Sequence, residues 1–172
     1  MATIKKSKRT VTISALVGIL VVAAWLLVPV TQGAAETMKG RLVFFMTKME
    51  EVQVGEVQGQ TVGMYEVRGL GSYENGEVAI VMDWGTFDFM EGFKGYEVNT
   101  FEDGSTHWIK YQGTATPAQE GKIMLYEGTF EFMKGTGRFE GIKGSGSFTG
   151  KNFITYGIAY IDYTGSYTLP SQ

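Results

Sequence analysis

The chain contains no cysteine. Disulfides, thiol nucleophiles, cysteine-held metals and a lipid-modified N-terminal cysteine are therefore excluded. It has one histidine, His107. A lone histidine without a serine or aspartate motif around it argues against a catalytic triad, and metal sites usually need several such ligands. Basic residues form no stripe, and 15 Lys and Arg stand against 18 Asp and Glu, which argues against a nucleic-acid partner. No Gly-Lys-Ser/Thr phosphate loop occurs. The run from Gly135 to Gly144 fails as a dinucleotide fingerprint, because Glu140 takes the third glycine position and no helix follows. No cofactor or metal is assigned. Beyond residue 35 no ten-residue stretch carries a 3.6-residue apolar period.

The longest apolar run is N-terminal. Lys5, Lys6, Lys8 and Arg9 precede the nearly all-apolar segment Val11 to Val30, and the small residues Gly33, Ala34 and Ala35 follow. This is the grammar of a secretory signal cleaved after Ala35. The run approaches a membrane-spanning length, so an uncleaved anchor through residues 11–30 is the alternative. In both cases residues 36–172 form one exported domain, periplasmic or extracellular, large enough for a core. Removing residues 1–35 removes four basic and no acidic residues, taking the formal charge from −3 to about −7.

The remainder is rich in glycine, aromatic and β-branched residues, with short alternating runs between glycines. That pattern predicts an all-β domain with strands at 41–54, 61–70, 77–90, 95–101, 106–114, 122–133, 144–153 and 156–169. Asn75-Gly76 and Asp103-Gly104 predict two-residue type I′ hairpins with positive φ at both centres. Eight antiparallel strands with short connections suggest a meandering barrel or a sandwich. Charged residues on most strands argue against a membrane-spanning barrel.

One octapeptide is written twice: GTFDFMEG at 85–92 and GTFEFMKG at 128–135. Alternation places Phe87 with Phe89, and Phe130 with Phe132, on one face, and Thr with Asp88 or Glu131 on the other. The closing Gly92 and Gly135 are expected to end a strand each, making the repeat a duplicated strand–turn unit. Asp83 shares the phenylalanine face of its strand, where the second copy has Tyr126. Asp162 shares a face with Ile158 and Tyr160. A carboxyl buried in a barrel acquires a raised pKa and serves as general acid or base, so Asp83 and Asp162 are catalytic candidates. His107, facing with Ile109 and Tyr111, is read as a rim or surface histidine, with catalysis as the alternative. Phe87, Phe89, Tyr126, Phe130, Phe132 and Tyr160 are the candidate apolar ligand contacts.

The segment GTGRFEGIKGSGSF, residues 135–148, resembles the glycine-rich strand–turn–strand signature of the allene oxide cyclase and dirigent-like barrels. The resemblance implies an eight-stranded antiparallel barrel with an apolar lumen, often trimeric. It carries over no catalytic residue, because the matched positions are turn glycines and a core aromatic. Three functions follow as expectations: a barrel binding an apolar or aromatic small molecule, an isomerase or cyclase of the allene oxide cyclase type, and a non-catalytic structural or interaction module. If the signal reading holds, the protein recovered after export begins at Glu36 by N-terminal sequencing. Retention of Lys5 to Arg9 would identify the anchored form instead.

Overall fold

The computed structural model describes residues 33–55 and 59–171. Residues 1–32 of the expected signal segment lie outside the described residues. Eight strands follow one another: β1 (Glu36–Gln53), β2 (Thr61–Tyr73), β3 (Val78–Asp88), β4 (Gly92–Phe101), β5 (Thr106–Ala118), β6 (Ile123–Thr136), β7 (Lys143–Phe153) and β8 (Ile158–Thr168). Each pairs antiparallel with the next, and β8 closes onto β1. The result is a closed eight-stranded antiparallel barrel without exposed sheet edges.

A repeated cross-strand pair builds the wall. Inward residues Gly63 and Phe87 face each other across β2 and β3, and Tyr65 faces Gly85 two steps on. The same reciprocal arrangement joins Phe93 to Gly113 and Tyr111 to Gly95 across β4 and β5. It joins Phe148 to Gly128 and Phe130 to Gly146 across β6 and β7. At the seam, Tyr163 faces Gly40 and Met38 faces Gly165. Every strand thus carries a glycine and a large apolar residue two positions apart. A ring lies over the facing glycine so closely that a Cβ on Gly63 or Gly146 would sit 2.5 Å from a ring carbon. Eight large side chains at one level would overfill a barrel of this strand number; alternating them with glycine fits the taper and lets the wall bend. The outward residues between these pairs form a row across paired positions. It leaves β1 at Lys39 and returns to β1 at Glu50, past the bulged Thr47. That displacement is the shear that tilts the strands.

The girdle accounts for the octapeptide. Gly85-Thr86-Phe87 and Gly128-Thr129-Phe130 are two of the eight glycine–large residue units, and beyond them the copies part. The first leaves its strand after Asp88, whose Oδ1 accepts from the Met90 N–H at 2.8 Å in the turn. Gly92 opens β4 at φ 116°. The second copy runs on as strand through Gly135 to Thr136. The expected duplicated strand–turn unit is therefore not formed: a short Asp caps a turn N–H, whereas Glu131 points outward to pair with Lys110 at 3.0 Å. Phe89 consequently leaves the inner face and packs edge-on against Phe87 at 5.1 Å, 55% exposed.

Both expected type I′ turns are also corrected. Gly76 and Gly104 alone take positive φ, at 86° and 80°. The bonds Gly76 N–H to Tyr73 O and Tyr73 N–H to Glu77 O, each 2.9 Å, enclose three loop residues. Asn75 Oδ1 and Asp103 Oδ1 accept from the N–H two residues on, at 3.1 and 2.9 Å. These Asx bonds hold the preceding residue right-handed and leave the left-handed position to glycine. Left-handed non-glycine residues, among those described, are Gln119 and Glu120 in the β5–β6 turn.

One barrel end is filled by Phe139 and Ile142 of the β6–β7 connection, packed with Met38, Tyr73 and Phe101. Arg138 lies 4.8 Å from the Phe101 and Phe139 ring centroids and pairs with Glu77. A methyl group on Gly128 would collide with the Gln112 carbonyl oxygen and the Phe148 ring, whereas on Gly71 the nearest atom would be Val81 Cγ2 at 3.5 Å. Gly128→Ala should therefore lose about 1–3 kcal/mol in denaturant unfolding, and Gly71→Ala should stay within about 0.5 kcal/mol of wild type.

Candidate functional site

Above the filled end the lumen holds a cavity of about 580 Å³. Its walls are mostly apolar, with rings that include Tyr65, Phe93, Tyr111 and Phe148, and with Met46, Met49, Met90 and Met124 among its other lining residues. It runs to the opposite barrel end, where Phe89, Met90 and Ile154 are 55%, 69% and 48% exposed. Methionine is the most adaptable apolar side chain, and Met90 at this opening can repack readily.

Polar groups converge inside this apolar surface. Asp83 on β3 and Glu97 on β4 are direct cross-strand partners, both pointing inward. Tyr111 donates to Asp83 Oδ1 at 2.5 Å. Because that proton is committed, Tyr65 supplies the one in its 2.7 Å bond to Tyr111. Asn99 donates from Nδ2 to Glu97 Oε1 at 2.6 Å and accepts at Oδ1 from Tyr73 at 3.1 Å. With the Tyr73 proton so used, the network assigns the proton of His107 to Nε2, which donates to Tyr73 at 3.2 Å. His107 Nδ1 is then a buried lone pair without a partner among the described residues, and Tyr163 Oη is likewise unpartnered.

Burial sets the charge of these groups. It pushes Asp83 well above the carboxylate range, with the neighbouring Glu97 adding to the rise and the Tyr111 bond opposing it. Burial likewise raises Glu97 to about 7, against the Asn99 bond. His107, boxed by the rings of Phe101, Phe132 and Phe139 at 5.2–5.5 Å, falls to about 4 through burial and, less, Arg138. It is a neutral imidazole at physiological pH. Burial also raises the hydroxyls of Tyr65 and Tyr111.

The structure brings together much of the expected set. Asp83, Phe87, Tyr126, Phe130, Phe132 and His107 all line the lumen, and Phe89 stands at its mouth. His107 is only 2% exposed, not a surface or rim residue, because β5 carries it inward with Ile109 and Tyr111. Asp162 and Tyr160 do share a face, but it is the outer one. Asp162 forms a bidentate pair with Arg41 at 2.6 and 2.7 Å, and Arg41 lies 4.6 Å from the Tyr160 ring centroid. The Arg41 bonds hold the Asp162 carboxyl below its usual range, the opposite of a poised acid. Glu97, Asn99, Tyr73, Tyr65 and Tyr111 were not singled out as site residues from the sequence. The signal was the alternation of β4, where Gly95, Glu97, Asn99 and Phe101 share one face. A second depression, about 1190 Å³, lies where the girdle glycines Gly63, Gly113 and Gly128 thin the wall. Its outward lining includes Thr86, Lys94, Gln112 and Thr129; the convergent buried network lies in the lumen, not there.

The chain matches no protein-family model, and no curated protein matches it. The lumen geometry therefore carries the functional reading.

Glu97 binds its proton more tightly folded than unfolded, since its value rises from 4.5 to about 7. Its contribution thus favours the native state at low pH and is lost as pH climbs from about 4.5 to about 7. Allowing for water in the lumen, the loss is roughly 2 kcal/mol. Thermal unfolding from pH 4.5 to 8 should show Glu97→Gln gaining stability relative to wild type across that window. A constant difference would mean that Glu97 titrates as a free carboxyl.

Proposed function

We propose that this protein is an exported barrel that binds an apolar small molecule in its lumen. One observation carries the reading: a cavity of about 580 Å³ has walls dominated by rings and methionines and a few polar groups aimed inward. Cavities of roughly 300–1,000 Å³ with that lining are typical of small-molecule sites. A barrel serving only as a scaffold gains more from filling such a space, since each void forfeits packing contacts. The proposal includes kinship with the allene oxide cyclase and dirigent-like barrels and export directed by the segment before Glu36. It also includes assembly as a homotrimer through outer apolar residues such as Leu70 and Ile80, 57% and 61% exposed.

A second reading is favoured by the Asp83–Glu97 pair. Two facing carboxyls in a low-dielectric lumen are suited to removing a proton from a bound molecule and returning one elsewhere, an isomerisation without a redox partner. Asp83→Asn would then abolish solvent-proton exchange into a turned-over substrate, whereas a pure binder shows no such exchange.

The binding reading is tested with N-phenyl-1-naphthylamine, a neutral probe whose fluorescence rises in apolar surroundings. Wild type should bind it at one site per chain. Ala115→Trp, which puts a large ring into the lumen wall opposite Tyr126, should weaken binding about tenfold or more. Asp162→Asn, on the outer face, should leave it unchanged. No fluorescence response, or one indifferent to Ala115→Trp, would overturn the reading.

A further inference from the structure

The lumen has charge of one sign only. Its ionisable lining groups, apart from tyrosines, are Asp83, Asp88, Glu91, Glu97 and His107. Among the described residues no lysine or arginine lines it, and burial disfavours the charged form of His107. The four carboxyls belong to one hairpin: Asp83 and Asp88 on β3, Glu91 in its turn and Glu97 on β4. Asp83 and Glu97 face each other inside, while Asp88 and Glu91 border the mouth at the turn. Rings flank them. Tyr65 packs against Phe87, and Phe93 against Tyr111, Tyr126 and Phe148, with centroids 5.5–6.4 Å apart. Ring faces carry negative potential and attract cations.

The hydrogen-bond accounting points the same way. Tyr111 and Asn99 each satisfy one oxygen of Asp83 and Glu97, and Asp83 Oδ2 and Glu97 Oε2 remain beside them on the cavity lining. At the inner end of the same lumen His107 Nδ1 is buried, unpartnered and, by the network, an acceptor. The lumen thus offers Glu97 and the His107 lone pair as acceptors, with the Tyr163 hydroxyl and the protonated form of Asp83 as donors. An incoming carboxylate would meet the ionised Glu97 and no cation among the described residues, which is unfavourable in a low-dielectric space. An ammonium group would meet acceptors and ring faces.

We propose that the lumen is an organic-cation site, taking an apolar molecule that carries one protonated amine, with the facing carboxyls of Asp83 and Glu97 receiving the ammonium and the surrounding rings as its cage. This deepens the lumen-binding reading and rests on it. It also separates this barrel from one built to hold a fatty acid, whose carboxylate would need a basic partner that the lumen lacks.

Three probes with one ring system isolate the charge: 1-naphthylmethylamine, 1-naphthalenemethanol and 1-naphthoate, titrated calorimetrically at pH 8. That pH leaves the amine protonated and lies above the value of Glu97. The amine should bind at least about tenfold more tightly than naphthoate, with the alcohol between them. In Asp83→Asn/Glu97→Gln the advantage of amine over alcohol should fall below about threefold while the alcohol is bound as before. Glu97→Gln alone, with far-UV circular dichroism verifying its fold, should lose part of the advantage and serves if the double variant does not fold. Naphthoate binding as tightly as the amine, or an amine preference that survives both substitutions, overturns the inference. The amine failing to bind at all does the same. A positive N-phenyl-1-naphthylamine result alongside any of these leaves the broader lumen reading standing, so the two fail separately.

Discussion

A large inward side chain facing a glycine across a strand pair is the constraint on which this barrel depends. Eight strands leave a narrow interior, and each must present a side chain inward at every second residue. If all were large at one level the barrel could not close; if all were small it would have no core. The reciprocal pairs resolve this, since each ring occupies the space that its glycine partner vacates. Because glycine and large residue are two positions apart on each strand, the pairing also resists a register slip. A shift of one residue would turn both outward, and a shift of two would set ring against ring at several pairs.

The cavity follows from the same arrangement. Rings folded down over glycines line the wall instead of meeting at the axis, so the barrel is packed along its wall and at the Phe139 end while its middle stays open. Into that space β3 and β4 project Asp83 and Glu97. Burial raises both, and ionising Glu97 in that space costs native stability as pH rises toward neutrality. Both are held in orientation by Tyr111 and Asn99, and such perturbed groups in a cavity are what the proposed binding role draws on.

Much of this was legible in the sequence, and the failures have definite causes. Alternation located eight strands and set Asp83 with Phe87, and Phe130 with Phe132, on faces that prove to be inner; it grouped His107 with Ile109 and Tyr111 but left it at the rim. It could not say which face was inner on β8, because Asp162 and Tyr160 sit among apolar neighbours that happen to be outside. Nor could it foresee Arg41, which is distant in sequence and adjacent only through the β1–β8 seam. The octapeptide misled for a related reason: similarity extended past the part that packing requires. Its head, Gly-Thr-Phe, repeats because the girdle needs it, and its tail, Asp against Glu, decides whether the chain turns. Glu97 was missed because its significance lies in facing Asp83, a cross-strand relation invisible until the β3–β4 register is known.

The middle residue of each girdle unit has a further consequence. Thr86, Lys94, Gln112, Thr129, Ser147 and Thr164 lie between a glycine and a ring that face inward, yet they themselves face away from the lumen. Interior and exterior are therefore written on interleaved positions of the same short segments, and neither constrains the other's chemistry. The outer row can be recoded, for solubility, for attachment to a surface or for assembly into arrays, with the lumen lining left untouched. The barrel is in that respect a container whose label can be changed without opening it.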